Sequence, residues 1–566
     1  MTLDCSHRLN VFSVIGCVFT AVACTGTVGS LGSAQTSNSK GGAEGTSVFG
    51  AACDKPNVLT PGPSPLVRLS TVEYANTVRD LFPKVAMAAA DLTLPAEVQS
   101  DGFLNTAEAQ APSALVIESL AQNAQGAAKA ATADLTKILP CTAANVAEEL
   151  SCGPKFIQSF GKQAFRRSLT ADEATRYGNF FKDAHSKWGF PAAVRMVTES
   201  FLQSAPFLYR LETAGKGVTG VAAIALDNYE VASRLSYLLT DTMPDADLMA
   251  AADGGRLVTV AGVEEQARRL LKSDKARQAV AAFHAQWLRF EKMDKLTKAA
   301  DVFPAFSTGM ATSMKEATVR YVDRMFWDEG HTVQTFLTDD HAYVNDVLAP
   351  LHGLTASGAD LKWAQVNQGQ RSGILTQVGL LAGLAHERND APVLRGIFVL
   401  DRLLCQPPPA PPATVNTTLP PLTDSLKQTT RQQLEASHST PKCASCHKSI
   451  DGIGFGFGNF DALGQWRTKE FGIDINATGE FFSTNDLDGK FDGAVAMGKK
   501  LGESRQVLAC IATQWLGYAL AVRRENLDSC MVNPLIDALS SAKGDLRELV
   551  VALVKSDAFR HRPVVQ

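Results

Sequence analysis

The chain has 566 residues, enough for three or four domains at roughly 150 residues each, which excludes a peptide or a single small module. With 45% hydrophobic and 20% charged residues it has the composition of a folded protein, which excludes disorder along its whole length. Lys and Arg number 54 against 58 Asp and Glu, a net charge of −4, so no basic excess is available to neutralise phosphates and nucleic-acid binding is set aside.

The chain opens with the marks of an export signal. Arg8 supplies a positive charge, Val11 to Ala23 form an apolar run too short to span a bilayer, and Ala21-Val22-Ala23 precedes Cys24. A small residue before a cysteine, followed by Thr25-Gly26-Thr27, resembles the lipobox of bacterial lipoproteins and makes Cys24 the acylation candidate. Val14-Ile15-Gly16-Cys17 is an alternative lipobox, and simple secretion the alternative address. The expectation is a signal peptide over 1–23 and a lipidated, flexible tether over 24–61, rich in Gly, Ser, Thr and Ala. The body would then be exported and held to a membrane through lipid, facing the periplasm or cell surface. No later run reaches the roughly 18 apolar residues of a membrane span.

Beyond the signal region and the motif discussed below, six cysteines remain: Cys53, Cys141, Cys152, Cys405, Cys510 and Cys530. An even number in an exported chain reads as disulfides, with buried free thiols as the alternative. Locality pairs Cys141 with Cys152 and Cys510 with Cys530, leaving Cys53 for Cys405.

Helical signals follow. Ser70-Thr71-Val72-Glu73 and Thr170-Ala171-Asp172-Glu173 have capping-box spacing, in which a hydroxyl and a carboxylate satisfy orphan backbone N–H groups. Asp227 to Glu230 introduces Val231, Leu235, Leu238 and Leu239, one helical stripe, which Met243-Pro244-Asp245 is expected to stop. Gln406 to Leu422 carries seven prolines, which favour polyproline II and a spacer role. Asp451 to Trp466, rich in glycine and aromatics, is expected to be a tight loop. Asp486, Asp488 and Asp492 with Gly489 lack the bidentate acid of a calcium loop and read as a hydrated turn.

Cys443-Ala444-Ser445-Cys446-His447 carries the chemistry. Two thiols separated by two residues can add to the two vinyl groups of a porphyrin, and the adjacent His447 is placed to ligate the iron, the pattern of covalent c-type haem attachment. A zinc knuckle would need a second ligand pair at matching spacing, and a redox disulfide is the other competitor. For the sixth iron ligand His438, Met497 and His386 are all candidates, and an open position would instead admit small molecules or peroxide. There is no phosphate-binding Gly-rich loop, no nucleophile elbow and no His-Glu-x-x-His helix.

With these residues in hand, the chain resembles the exported planctomycete-type cytochrome c multidomain family, a haem module with associated domains of unknown function. The resemblance is carried by Arg68 to Leu81, by Phe165-Arg166-Arg167-Ser168-Leu169-Thr170 through Arg210, and by Tyr229 to Asn345. It continues through Arg371 to Leu375, His386 to Gly396, Cys443 to His447 and Asn459 to Arg467, and ends in residues 487 to 562. Gly452 stands where the family usually has Pro, Gly458 where an acid is common, and Ala521-Val522 where Gly-Arg is usual. The family's separate N-terminal haem module has no counterpart, so the resemblance implies one haem.

The expected architecture is mainly α and multidomain. Helical modules occupy 62–150, 151–215, 222–356 and 480–566, around a small cytochrome c-like haem module with its proline-rich segment at 368–470. The function this implies is electron transfer by one covalent haem c, to a periplasmic or membrane redox partner. A haem enzyme of peroxidase or oxygenase type is the alternative, and a surface scaffold or polymer-binding lipoprotein the next.

Overall fold

The computed structural model describes residues 53–54, 58–87, 92–355, 358–367, 369–411 and 428–564. Arg8, the lipidation candidate Cys24, most of the tether, and Pro412, Pro420 and Pro421 of the proline run lie outside the described residues. Among the described residues there are 22 α-helices, with short strands gathered into four two-stranded sheets and one three-stranded sheet. The protein is mainly α, as the periodicities predict.

All three predicted helix starts are capping boxes. Glu73 N donates to Ser70 Oγ at 3.3 Å while Ser70 N donates to Glu73 Oε2 at 2.7 Å, opening the helix Thr71–Leu81. Thr170 with Glu173 opens Ala171–Trp188, and Asp227 with Glu230 opens Asn228–Thr240. That last helix stops earlier than Pro244 would impose. Asp241 already leaves the helix at φ 49°, in the left-handed region that Asp tolerates better than most residues. Asp245 then caps the next helix, Ala246–Asp253.

Apolar stripes pack into two large cores. One joins Leu69, Val78, Phe156, Phe201 and Phe207, with Tyr237 reaching in from the helix Asn228–Thr240. The other runs from Leu226 to Phe559 and encloses Trp287 and Trp515 completely. Burial of each such large side chain contributes about 1.5–3 kcal/mol. Phe103 leaves the first segment to enter this second core, stacking on Phe283 at 5.6 Å and meeting Tyr518 at 5.2 Å. Two residues earlier Asp101 binds Arg524 Nη2 at 2.7 Å, and the same nitrogen reaches Asp401 at 2.9 Å. Near the end of the chain His561–Pro563 pairs antiparallel with Ala223–Ala225, His561 opposite Ala225. The segments therefore interlock, and the part holding the cysteine motif rests on a core built by segments before and after it.

All six candidate cysteines are disulfide-bonded, but the pairing differs from locality. Cys141–Cys152 forms as expected, whereas Cys53 joins Cys530 and Cys405 joins Cys510. The helix Arg505–Leu520 is the reason: Cys510 lies ten residues before its end, about 15 Å of helical rise away from the turn that leads to Cys530. Cys510 is instead buried against the segment ending at Cys405, its Sγ 3.5 Å from the Arg402 carbonyl.

The glycine-rich stretch is not a loop at its start. The helix Pro441–Gly454 runs through Asp451, Gly452 and Ile453, and a short 3-10 turn, Phe455–Phe457, follows. Gly452 and Gly454 serve close approach: a Cβ on Gly452 would lie 2.6 Å from the Glu480 carbonyl oxygen, and one on Gly454 2.6 Å from the Pro392 carbonyl carbon. Between the paired strands Thr478–Phe481 and Gly489–Asp492, Asp488 accepts from Thr484 N at 2.8 Å and Asp486 from Arg505 N at 2.7 Å, whereas Gly489 and Asp492, expected in the same turn, are the ends of the second strand, Asp492 opposite Thr478.

Candidate functional site

The motif helix Pro441–Gly454 begins after Thr440, with Pro441 in its first turn, where a missing N–H costs nothing. Cys443, Cys446 and His447 occupy positions i, i+3 and i+4; Cys446 packs against the large core, whereas His447 turns to the cavity described below. Cys443 and Cys446 are half-buried free thiols, while the other described cysteines are paired.

The helix is held from behind by backbone contact. Pro392–Phe398 packs so closely that a Cβ on Gly396 would lie 3.0 Å from the Ile450 carbonyl carbon. Arg395, fully buried on that neighbour, donates from Nη1 to Phe460 O and from Nη2 to Asp461 O, each at 2.8 Å, and fixes the chain beyond the motif. Burial pushes the Arg395 guanidinium down to about 10, opposed by Asp390 and Asp461.

A second short helix, Thr430–Ser437, places His438 at its C-cap. It is anchored where Thr430 Oγ1 donates to the buried Glu470 Oε1 at 2.7 Å and its N–H to Oε2 at 2.8 Å. His438 Nδ1 then stands 2.6 Å from Asp451 Oδ2, and His447 Nδ1 3.1 Å from Asp451 Oδ1. The two imidazoles stack with centroids 3.5 Å apart. Because His447 engages the carboxylate through Nδ1, Nε2 is the nitrogen it offers a metal.

Beside these rings is a cavity of about 480 Å³, within the roughly 300–1,000 Å³ usual for ligand pockets. Its wall combines His438, His447 and Asp451 with Phe455, Phe482 and Lys448. Arg431 lies over the Phe455 ring at 4.5 Å and Lys448 over the Phe482 ring at 4.3 Å, so apolar faces and cations alternate around the opening. Ligand atoms of His438, His447 and Asp451 fall within 4.8 Å of one another, a three-donor set that does not include the thiols. A Cys₂His₂ knuckle is thus not assembled here among the described residues. The motif helix thus carries two thiols and an adjacent histidine, the groups a covalently held haem uses, and of the three only His447 lines the cavity.

The remaining predicted ligands lie elsewhere. Met497 is fully buried in the large core, on the helix Gly493–Glu503, and does not line the cavity. His386 is exposed, its carbonyl accepting from Lys298 Nζ at 2.9 Å. Asp451 was legible only as the start of the glycine stretch. Its place one helical turn after His447 is the signal that would have found it, once the helix is known to continue past the motif.

Five family models match successive parts of the chain, each described as a protein of unknown function: DUF1587 over 68–133, DUF1595 over 152–212, DUF1592 over 226–354, DUF1588 over 371–470 and DUF1585 over 488–559. No curated protein and no solved structure matches. The segment over 371–470 contains Cys443, Cys446, His447, His438 and Asp451. In domain make-up, the chain belongs with the proteins that carry the planctomycete cytochrome C-associated domains.

Proposed function

We propose that this chain is an exported c-type haem protein that transfers electrons. One haem is attached through Cys443 and Cys446 and ligated by His447. The observation that carries the reading is the motif helix itself, which carries two free thiols at i and i+3 and, at i+4, a carboxylate-held imidazole that lines a ligand-sized cavity. When bound, haem supplies a one-electron couple at its iron. The chain's own groups tether it, fix the ligand imidazole and place Arg431 and Lys448 over aromatic rings at the rim. Three disulfides among the described cysteines suit an oxidising compartment, where such attachment takes place. Cys24 is the proposed lipid anchor to the membrane, and the electron partner a periplasmic or membrane redox protein.

The test is maturation of the full chain in a host with c-type haem machinery, read as haem-dependent peroxidase staining on a denaturing gel and as intact mass. The wild-type chain is expected to retain one haem through denaturation, and Cys443→Ala with Cys446→Ala to lose it. A wild-type chain without covalent haem overturns the reading. The polar lining of the cavity supports a second reading, a haem enzyme of peroxidase or oxygenase type. Carbon monoxide binding to the reduced protein would favour it over simple electron transfer.

A further inference from the structure

One carboxylate receives both imidazoles of the site. Asp451 is 6% exposed and sits one turn after His447 on the same helix. His438 and His447 both turn Nδ1 toward it, and their rings are only 29° from parallel. A sixth iron ligand must approach from the face opposite His447 and point back at it. Two rings stacked face to face on one carboxylate share the same side.

We infer that Asp451 is a positioning residue for the haem iron, fixing His447 through Nδ1 and strengthening it as a donor, while His438 competes for that carboxylate and is not the sixth ligand. The inference rests on the haem reading above. A carboxylate that accepts from the second nitrogen of a ligating imidazole raises its basicity. A more basic axial ligand favours ferric over ferrous iron and lowers the reduction potential. His438 draws on the same carboxylate at the shorter distance, 2.6 Å against 3.1 Å, and so weakens that effect. Removing Asp451's charge and removing His438 must therefore move the potential in opposite directions.

The experiment is a redox titration with visible spectra on the full chain matured with covalent haem, comparing wild type, Asp451→Asn and His438→Phe. Asp451→Asn keeps the shape and loses the charge. It is expected to raise the ferrous-to-ferric ratio at fixed potential at least tenfold, about 59 mV for one electron. His438→Phe keeps the stacked ring, and is expected to lower the potential with the spin state unchanged. A haem-loaded Asp451→Asn protein with an unmoved potential overturns the inference. So does a change from low to high spin in His438→Phe, which would make His438 the sixth ligand. Should Asp451→Asn fail to retain haem, His438→Phe decides: a lowered potential supports the inference, an unmoved or raised one overturns it. A wild-type chain lacking the haem altogether is the separate failure of the haem reading, and overturns this inference with it.

Discussion

Replacing Gly454 with alanine tests the packing that holds the motif helix. The new Cβ would lie 2.6 Å from the Pro392 carbonyl carbon, with the carbonyl oxygen closer still, whereas ordinary contacts fall at 3.4–4 Å. The helices Pro441–Gly454 and Pro392–Phe398 must therefore part by about 1 Å, and because the obstacle is backbone, no side chain can rotate out of the way. Overpacking of this kind costs about 1–3 kcal/mol, and alanine's better helix propensity offsets at most about 1 kcal/mol. The net loss of about 1–2 kcal/mol lowers Tm by about 1–2 °C, taking about 2.1 cal/mol/K of unfolding entropy per residue over roughly 500 interlocked residues. Differential scanning calorimetry reads it, with Gly178→Ala as the control. Gly178 lies in the helix Ala171–Trp188 with nothing within 4 Å of where an alanine methyl would sit, and the change there should be neutral or stabilising. A Gly454→Ala protein as stable as wild type would refute the argument that backbone contact positions the motif.

Three further outcomes are expected. Burial and the nearby Glu73 push the Asp241 carboxyl up to about 8, against the pull of Arg210. Since an unfolded Asp titrates near 3.9, this group's contribution to stability is lost as pH rises from about 4 to about 8. Asp241→Asn should match wild type below pH 4 and exceed it at pH 8 in denaturant midpoint, and equal midpoints at pH 8 would contradict this. Arg524→Ala removes the partner that Asp101 and Asp401 share, Asp401 keeping Arg402 at 2.9 Å, and should cost about 1.5–3 kcal/mol by chemical denaturation; a loss under about 1 kcal/mol would mean that solvent replaces the guanidinium. The Cys405–Cys510 bridge closes a separation of 105 residues, and the chain-entropy account puts its removal at about 4–5 kcal/mol. The double serine variant should therefore unfold at clearly lower temperature than wild type under non-reducing conditions.

How much was legible follows from the range of each interaction. The capping boxes at Ser70, Thr170 and Asp227 join residues three apart, and all three appear as read. The thiols and His447 are likewise a local pattern, and the structure sets them on one helix. The disulfides were half legible. Cys141 and Cys152 are close along the chain, but Cys510 meets Cys405 because the intervening segments fold around one core, which no local spacing reports. The glycines after Asp451 look like turn formers in sequence. Their use as clearance for Glu480 and Pro392 depends on which elements pack there. The same misreading hid Asp451, since a loop would not have brought it one helical turn from His447. Met497 entered as a ligand candidate on residue type and its place downstream of His447, and packing puts it in the core.

The central claim is tested most directly by the alkaline pyridine spectrum of the purified full chain, matured with c-type haem machinery. A reduced band typical of two thioether links, at one haem per chain and surviving acid–acetone extraction, is the result this account predicts. Haem that extracts freely, or a chain with no haem and a disulfide or bound metal at Cys443 and Cys446, would contradict it.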